Sequence, residues 1–276
     1  MSKADVIFKN MCRDIIETGF SSEGQDVRPR WEDGAPAHTI KKFGMINRYN
    51  LYEEFPALTL RPTPIKSAFD EILWIWQKKS NRIQDLSSHI WDAWVDEEGT
   101  IGKAYGYQLG VKYKFAHGEM DQVDNVLWQL KNTPYSRRII TNLYNFSDLS
   151  EMNLEPCAYS MTFNVVGNQL NGILNQRSQD ILVANNWNVV QYALLLMMFA
   201  QVSNLDPGTL IHVIADAHIY DRHIPLVAEM MQKPVFDAPK IKLNPEIRDF
   251  YAFTKEDVIV EDYHTNEQIK NIPVAI

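Results

Sequence analysis

The chain has 276 residues, 45 % of them hydrophobic and 22 % charged, and a formal net charge of −8. That acidic balance argues against a general nucleic-acid binder, which needs a basic face, but leaves room for an anionic ligand held by locally gathered cations. The two cysteines, Cys12 and Cys157, build no disulfide framework. The longest apolar run, residues 192–200, is too short for a bilayer span of roughly 20 residues. The N-terminus has no secretory apolar stretch, and together these features predict a cytoplasmic protein. No repeat or linker divides the chain, so one domain over 1–276 is expected.

Residues 3–18 place Val6, Ile7, Met11, Ile15 and Ile16 near one face of a helix, with Cys12 as a packed thiol. From Gly19 to Ala37 a polar, Gly- and Pro-broken loop carries Arg28 and Arg30. These are either solvated charges or, for Arg28, an arm toward a bound phosphate. Residues 38–52 read as strands. Pro64 to Ser80 predicts a helix whose face is Ile65, Phe69, Ile72, Leu73 and Trp76. Glu71 lies against its apolar half, where burial would raise the carboxyl pKa into a general acid's range, or at an exposed edge. Trp91 and Trp94 form an apolar wall, suited to core packing or to a stacked flat ring. Tyr105 lies between glycines in a bending segment. A helix is expected over Glu119 to Lys131, with Val123, Val126, Leu127 and Leu130 inward and Pro134 at its end. Ser136-Arg137-Arg138 then opens a strand. Two adjacent arginines on a strand face opposite ways, so they are an exposed edge pair or an anion clamp offered to a partner subunit.

The chemistry is densest between Glu155 and Asn188. Cys157 follows Pro156 at a predicted strand start. A thiol attacks only as thiolate, which nearby cations favour. Arg177 returns beside it after a hairpin turned at Gly167-Asn168 and supported by the alternation of Met161, Phe163 and Val165. Asn186 to Ser203 reads as a buried helix. Asn188 at its entrance carries a donor and an acceptor that match the O4/N3 edge of a uracil ring, while Asn185, Asn186 and Asn188 are also ordinary helix-start residues. Leu210 to Ile214 is a strand, His218 and Tyr220 beyond it share a face toward one sugar hydroxyl, and residues 222–233 form a helix. His218 and His223, five apart, fit no metal-ligand spacing, so no metal is expected. The tail Ile272-Pro273-Val274-Ala275-Ile276 is apolar, either docked or a movable lid.

These pieces, taken in order, resemble the folate-dependent, cysteine-nucleophile thymidylate synthase family over essentially the whole chain. The carrying motifs are Pro156-Cys157, Gln176-Arg177-Ser178 with Asp180, Asn188, Asp216 with His218 and Tyr220, and the tail from Pro273. Glu71-Ile72-Leu73-Trp74, Ile90-Trp91-Asp92-Ala93-Trp94, Tyr105-Gly106 with Gln108, and Ser136-Arg137-Arg138 match too. The resemblance implies an α+β fold, a single domain with a large mixed β-sheet flanked by helices, dimerising through the sheet. It implies reductive methylation of dUMP to dTMP with 5,10-methylenetetrahydrofolate, by addition of Cys157 to uracil C6. Arg28, Gln176, Arg177 and Ser178 would serve the nucleotide, with Arg137 and Arg138 reaching the phosphate from the other subunit of a homodimer. Asn188 would read the base and His218 with Tyr220 the 3′-hydroxyl. Glu71 would anchor a proton-relay water network, and Tyr105 would assist proton removal at C5. Asp180, Trp91, Trp94, Ala184, Trp187, Arg61 and Ala275 would face the folate, Arg61 toward a polyglutamate tail.

Three departures stand out. The family's glycine and Pro-Phe appear here as Ala184 and Asn186-Trp187, the histidine after the nucleophile is Ala158, and Arg61-Pro62-Thr63-Pro64 replaces a more basic stretch. They are expected to alter the folate side and leave the nucleotide side whole. Two rivals use the same residues: a dUMP hydroxymethylase on this fold, which traps the C5-methylene intermediate with water, and a non-catalytic nucleotide- or RNA-binding homologue.

Overall fold

The computed structural model describes residues 1–275; Ile276, the last residue of the expected lid, lies outside the described residues. Helix α1 (Lys3–Thr18) starts where Ser2 accepts a hydrogen bond from the Asp5 N–H at 3.4 Å. Its buried face is Ala4, Phe8, Met11, Cys12 and Ile15, with Asp5 accepting from the Thr59 N–H at 2.9 Å. These apolar residues follow the i, i+4, i+7, i+8, i+11 stripe of an α-helix. Val6 falls off that stripe and is exposed, contrary to the sequence expectation. Burial makes the Cys12 thiol a weak acid, the inert packed cysteine expected.

The short β1 (Phe20–Ser21) and the single long β2 (Thr39–Asn50) follow. Helix α2 (Ile65–Trp76) buries nine of its residues, Glu71 among them. It ends short of Ser80, in a bend where Lys79 takes a positive φ of 53°. After α3 (Gly106–Gly110) and a small hairpin of β3 (Tyr113–Phe115) and β4 (Gly118–Met120), α4 (Gln122–Asn132) begins on an Asp121 cap. Glu119 therefore belongs to β4 and not to the helix. Arg137 and Arg138 sit in an exposed turn before β5 (Ile139–Asn142) and not on the strand, so the facing argument made for them does not apply.

β6 (Ala158–Val166) and β7 (Gln169–Asp180) form the expected hairpin, Gly167 supplying a positive φ of 63° at the turn. α5 (Asn185–Val202) then crosses to β8 (Asp206–Tyr220), α6 (Ile224–Gln232) follows, and β9 (Lys240–Leu243) pairs with β10 (Val258–Glu261). The main sheet has the order β1-β2-β8-β7-β6-β5. Among the described residues only β7 and β8 pair in parallel, which requires a crossover, and α5 provides it. α5 is apolar all round because it packs on β7, β8 and α2 at once.

The other face of the sheet is uncovered in the single chain. Register aligns Arg48, Ile211, Ile173, Thr162 and Ile140 across five strands. Of these, Ile140 is 52 % exposed, and Ile46 nearby is 58 % exposed.

Candidate active site

Cys157 stands one residue ahead of β6, half-buried. β7 brings Arg177 back beside it: the Arg177 N–H donates to the Cys157 carbonyl at 2.9 Å. The Arg177 guanidinium is fixed by the carbonyls of Pro156 (3.1 Å) and Glu155 (2.7 Å). Tyr105 arrives from the far side, held at a φ of +46°, a strained conformation of the kind found at functional sites. Gly106 permits it, since a Cβ there would come within 2.3 Å of the Ser80 carbonyl. The Tyr105 hydroxyl accepts from the Cys157 N–H at 3.1 Å, which leaves its own proton free to favour a thiolate. Burial nevertheless wins, and the Cys157 pKa lies above the usual thiol range even though Arg177, Tyr105 and Arg28 pull it down. The cations act in the expected direction, and burial opposes them. Arg28, exposed in its loop, bears on both Cys157 and Tyr220, whereas Arg30 folds back on the Val27 carbonyl and Asp26.

Behind the thiol runs a directed string of side chains. His212 is fully buried and uncharged, its pKa driven down to about 3 by desolvation. It bonds Gln176 Oε1 at 2.7 Å, so its Nε2 carries the proton. Gln176 Nε2 donates to Asn188 Oδ1 at 3.0 Å, and Asn188 Nδ2 donates to Gln191 Oε1 at 3.0 Å. The string fixes which end of the Asn188 amide donates. Gln176 has both ends of its amide bonded inside the protein. Neither Gln191 nor His212 was singled out in the sequence. Gln191 was within reach of such reading, since it lies three residues after Asn188 on the same helical face.

Glu71 is buried, not at an exposed edge. The Trp91 Nε1–H donates to Oε1 at 3.0 Å and the Trp187 Nε1–H to Oε2 at 2.6 Å. Desolvation still raises its pKa to about 7. Trp91 also contacts Tyr105 and Trp94, with ring centroids 5.1 and 5.7 Å apart.

Ser178 pairs with Asp216 and Asp180 with His218 across the parallel strands. His218 donates to Asp216 at 2.8 Å, and its ring lies 5.0 Å from that of Tyr220. Asp180 Oδ1 accepts from the N–H groups of Leu182 and Val183 at 2.9 and 3.0 Å, and Ala184 follows as the residue before α5. Asn185 and Asn186 do not cap the helix; Asn186 reaches inward to Thr63 and accepts from the Leu58 N–H at 3.3 Å. The Arg61 guanidinium donates to the Leu182 carbonyl beside Asp180. Arg137 and Arg138 are exposed, and Arg138 lines a cavity with Tyr113, Ile140 and Tyr144.

His223 ties the tail to this cluster. Its Nε2–H donates to the Pro273 carbonyl at 2.7 Å, while its Nδ1 stands 3.6 Å from Asp180, beyond hydrogen-bonding range. Burial favours the neutral ring, but Asp180 and the Pro273 carbonyl outweigh it and raise the pKa above the ordinary value. A raised folded-state pKa adds stability that is fully present below about pH 6.5 and is lost as pH climbs through the folded value. The melting-temperature difference between the wild type and His223→Gln is therefore expected to shrink from pH 6 to pH 8. A pH-independent difference would contradict the ion pair.

Among the described residues there is no group of three or more metal-ligating side chains and no helix long and apolar enough to cross a membrane. Residues 6–276 match the family model described as thymidylate synthase. The chain is 43 % identical over 274 residues to a thymidylate synthase of Bacillus subtilis subsp. natto, covering 98 % of each. It is 42 % identical to that of Bacillus phage phi3T over the same span and shares. The solved structure of thermostable thymidylate synthase A from Bacillus subtilis superposes with a TM-score of 0.95, at 41 % identity and 99 % coverage of both chains.

Proposed function

The chain belongs to the thymidylate synthase family, and from that premise we propose how its own residues carry out the family's reaction. The enzyme is a methyltransferase that converts dUMP to dTMP, with 5,10-methylenetetrahydrofolate as one-carbon and hydride donor. The observation that carries the residue assignment is the convergence of Cys157, Arg177 and Tyr105 at the start of β6.

In this reading Arg28, Arg177 and Ser178 take the 5′-phosphate, and His218 with Tyr220 the 3′-hydroxyl. Asn188, held by Gln176, meets the uracil edge. The Cys157 sulfur adds to C6, and the electron pair moves to C5, which attacks the folate's methylene carbon. Glu71 holds the water network that exchanges protons near C4, and Tyr105 assists removal of the C5 proton. Loss of that proton expels the folate nitrogen from the bridging carbon and leaves an exocyclic methylene on C5. Hydride from the folate adds to this methylene, and the electron pair so delivered to the ring expels Cys157 from C6 as thiolate, giving dTMP and dihydrofolate. Asp180 bonds the pterin, Ala184 lines it, Trp91 and Trp94 flank it, and Ala275 belongs to the segment that closes over it and excludes water. Incubation with dUMP and the folate should yield dTMP, identified by mass. Hydroxymethyl-dUMP as the main product would overturn the assignment.

We further infer one catalytic domain over the chain, a cytoplasmic setting supported by two free cysteines, and a homodimer. The uncovered sheet face, with Ile46, Ile140 and Ile173, supports the dimer. Exposed Arg137 and Arg138 would then act across the interface. Mixing an Arg137→Ala/Arg138→Ala variant with a Cys157→Ser variant should restore dTMP formation that neither shows alone. A mixture no more active than its parts would place those arginines outside the partner's site.

A further inference from the structure

The first turn of α5 carries two side chains with different targets. Asn188 turns toward the proposed base site, held by Gln176 and Gln191. Trp187, its neighbour, reaches across 116 residues of chain to Glu71 Oε2. With Trp91 on Oε1, both carboxyl oxygens accept an indole N–H. A phenylalanine at 187, which the family resemblance implies as the usual residue, would have no N–H to offer. The departure at 187 thus acts on the proton-relay carboxyl, not only on the folate side as the sequence suggested.

We propose that Trp187 is a positioning residue for Glu71: its indole N–H fixes the carboxyl and sets the pH at which that carboxyl takes up a proton. The proposal rests on the thymidylate synthase reading for its catalytic consequence and on the structure alone for the hydrogen bond. A donor to each oxygen favours the ionised form. The opposing influences are burial and Asp70, which lies next to Glu71 in α2. Gln191, one turn along α5, also favours the charged form, although its Nε2 makes no well-formed hydrogen bond. The remaining titratable neighbours are the phenols of Tyr105 and Tyr192, both of which feel the Glu71 charge and are themselves held neutral by burial. Gln191 bonds Asn188, so the same turn of α5 that orients the base reader also sets the charge of the relay.

The test is Trp187→Phe, read by isotope-edited infrared titration of the Glu71 carboxyl, the band being assigned by its loss in Glu71→Gln. Loss of one N–H donor to a carboxylate is expected to raise the midpoint by about one pH unit. The matching limb of the kcat/KM profile should move in the same direction; that limb should be absent in Glu71→Gln, and adding Trp187→Phe to that background should leave the shape of its profile unchanged. If Trp187→Phe folds poorly, benzothienylalanine at 187 keeps the bicycle and removes only the N–H. A folded variant whose carboxyl midpoint is unmoved overturns the proposal. A wild type that makes no dTMP overturns the functional reading, and the carboxyl titration still decides the role of Trp187.

Discussion

Cys157→Ser is expected to bind dUMP with near wild-type affinity and to form dTMP slower by on the order of a thousandfold or more, because a hydroxyl without a positioned base is a far weaker nucleophile than a thiolate. The fold should tolerate the change. Serine is nearly isosteric, Cys157 is outside the fully buried core, and its backbone bonds to Arg177 and Tyr105 are independent of the side chain. Burial holds the Cys157 thiol above its usual pKa. The wild-type rate should therefore keep rising with pH past neutrality until the thiol is ionised, and that limb should disappear in the serine variant. Product chromatography with calorimetric dUMP binding checks both halves. A serine variant within tenfold of wild type would remove Cys157 from the chemistry.

Asn188→Asp is the second large effect. The Asn188 amide is oriented by donation from Gln176 and donation to Gln191, leaving one acceptor and one donor for a ring edge with N3–H and O4. A carboxylate offers no donor to O4, and a site built around a hydrogen bond rejects a mismatched partner by roughly ten-thousandfold. A protonated carboxyl instead suits cytosine, donating to N3 and accepting from the 4-amino group. The variant is expected to lose most of its kcat/KM for dUMP and to gain turnover of dCMP. Gln191 must also reverse its amide to donate to the new carboxylate, which brings its oxygen toward Glu71. Competition between the two nucleotides, read by mass, is the check. Retention of full dUMP preference would mean that Asn188 does not read the base.

Much of this site is legible in the sequence. The β6–β7 hairpin announces itself by the alternation of Met161, Phe163 and Val165 closed at Gly167-Asn168, and despite a register shift between Ala158 and Ser160 it returns Arg177 to Cys157. α5 is legible as a long apolar run and α2 by its repeating stripe. The misses are tertiary. Nothing in the local sequence says that Arg61 turns inward to Leu182, that Trp187 meets Glu71, or that His223 bonds the tail. Each joins residues 50 or more apart, and such pairs are set by packing rather than by period. Arg137 and Arg138 were misplaced for a different reason. The apolar residues that open β5 start at Ile139, and the charged pair before them belongs to a turn that pattern reading merged with the strand.

The lone parallel pairing in the sheet also bears on how the enzyme is made. A chain emerging from the ribosome can close the β6–β7 ribbon early, since its partners are neighbours in sequence. The thiol and the guanidinium then meet while β7 still has a bare edge. That edge is filled only when β8 has been threaded past α5, bringing Asp216 beside Ser178 and His218 beside Asp180. Distant pairings of this kind are slow to form. The half of the pocket expected to hold the sugar should accordingly be the last to mature, and a stalled intermediate would display the reactive sulfur with no substrate cradle around it.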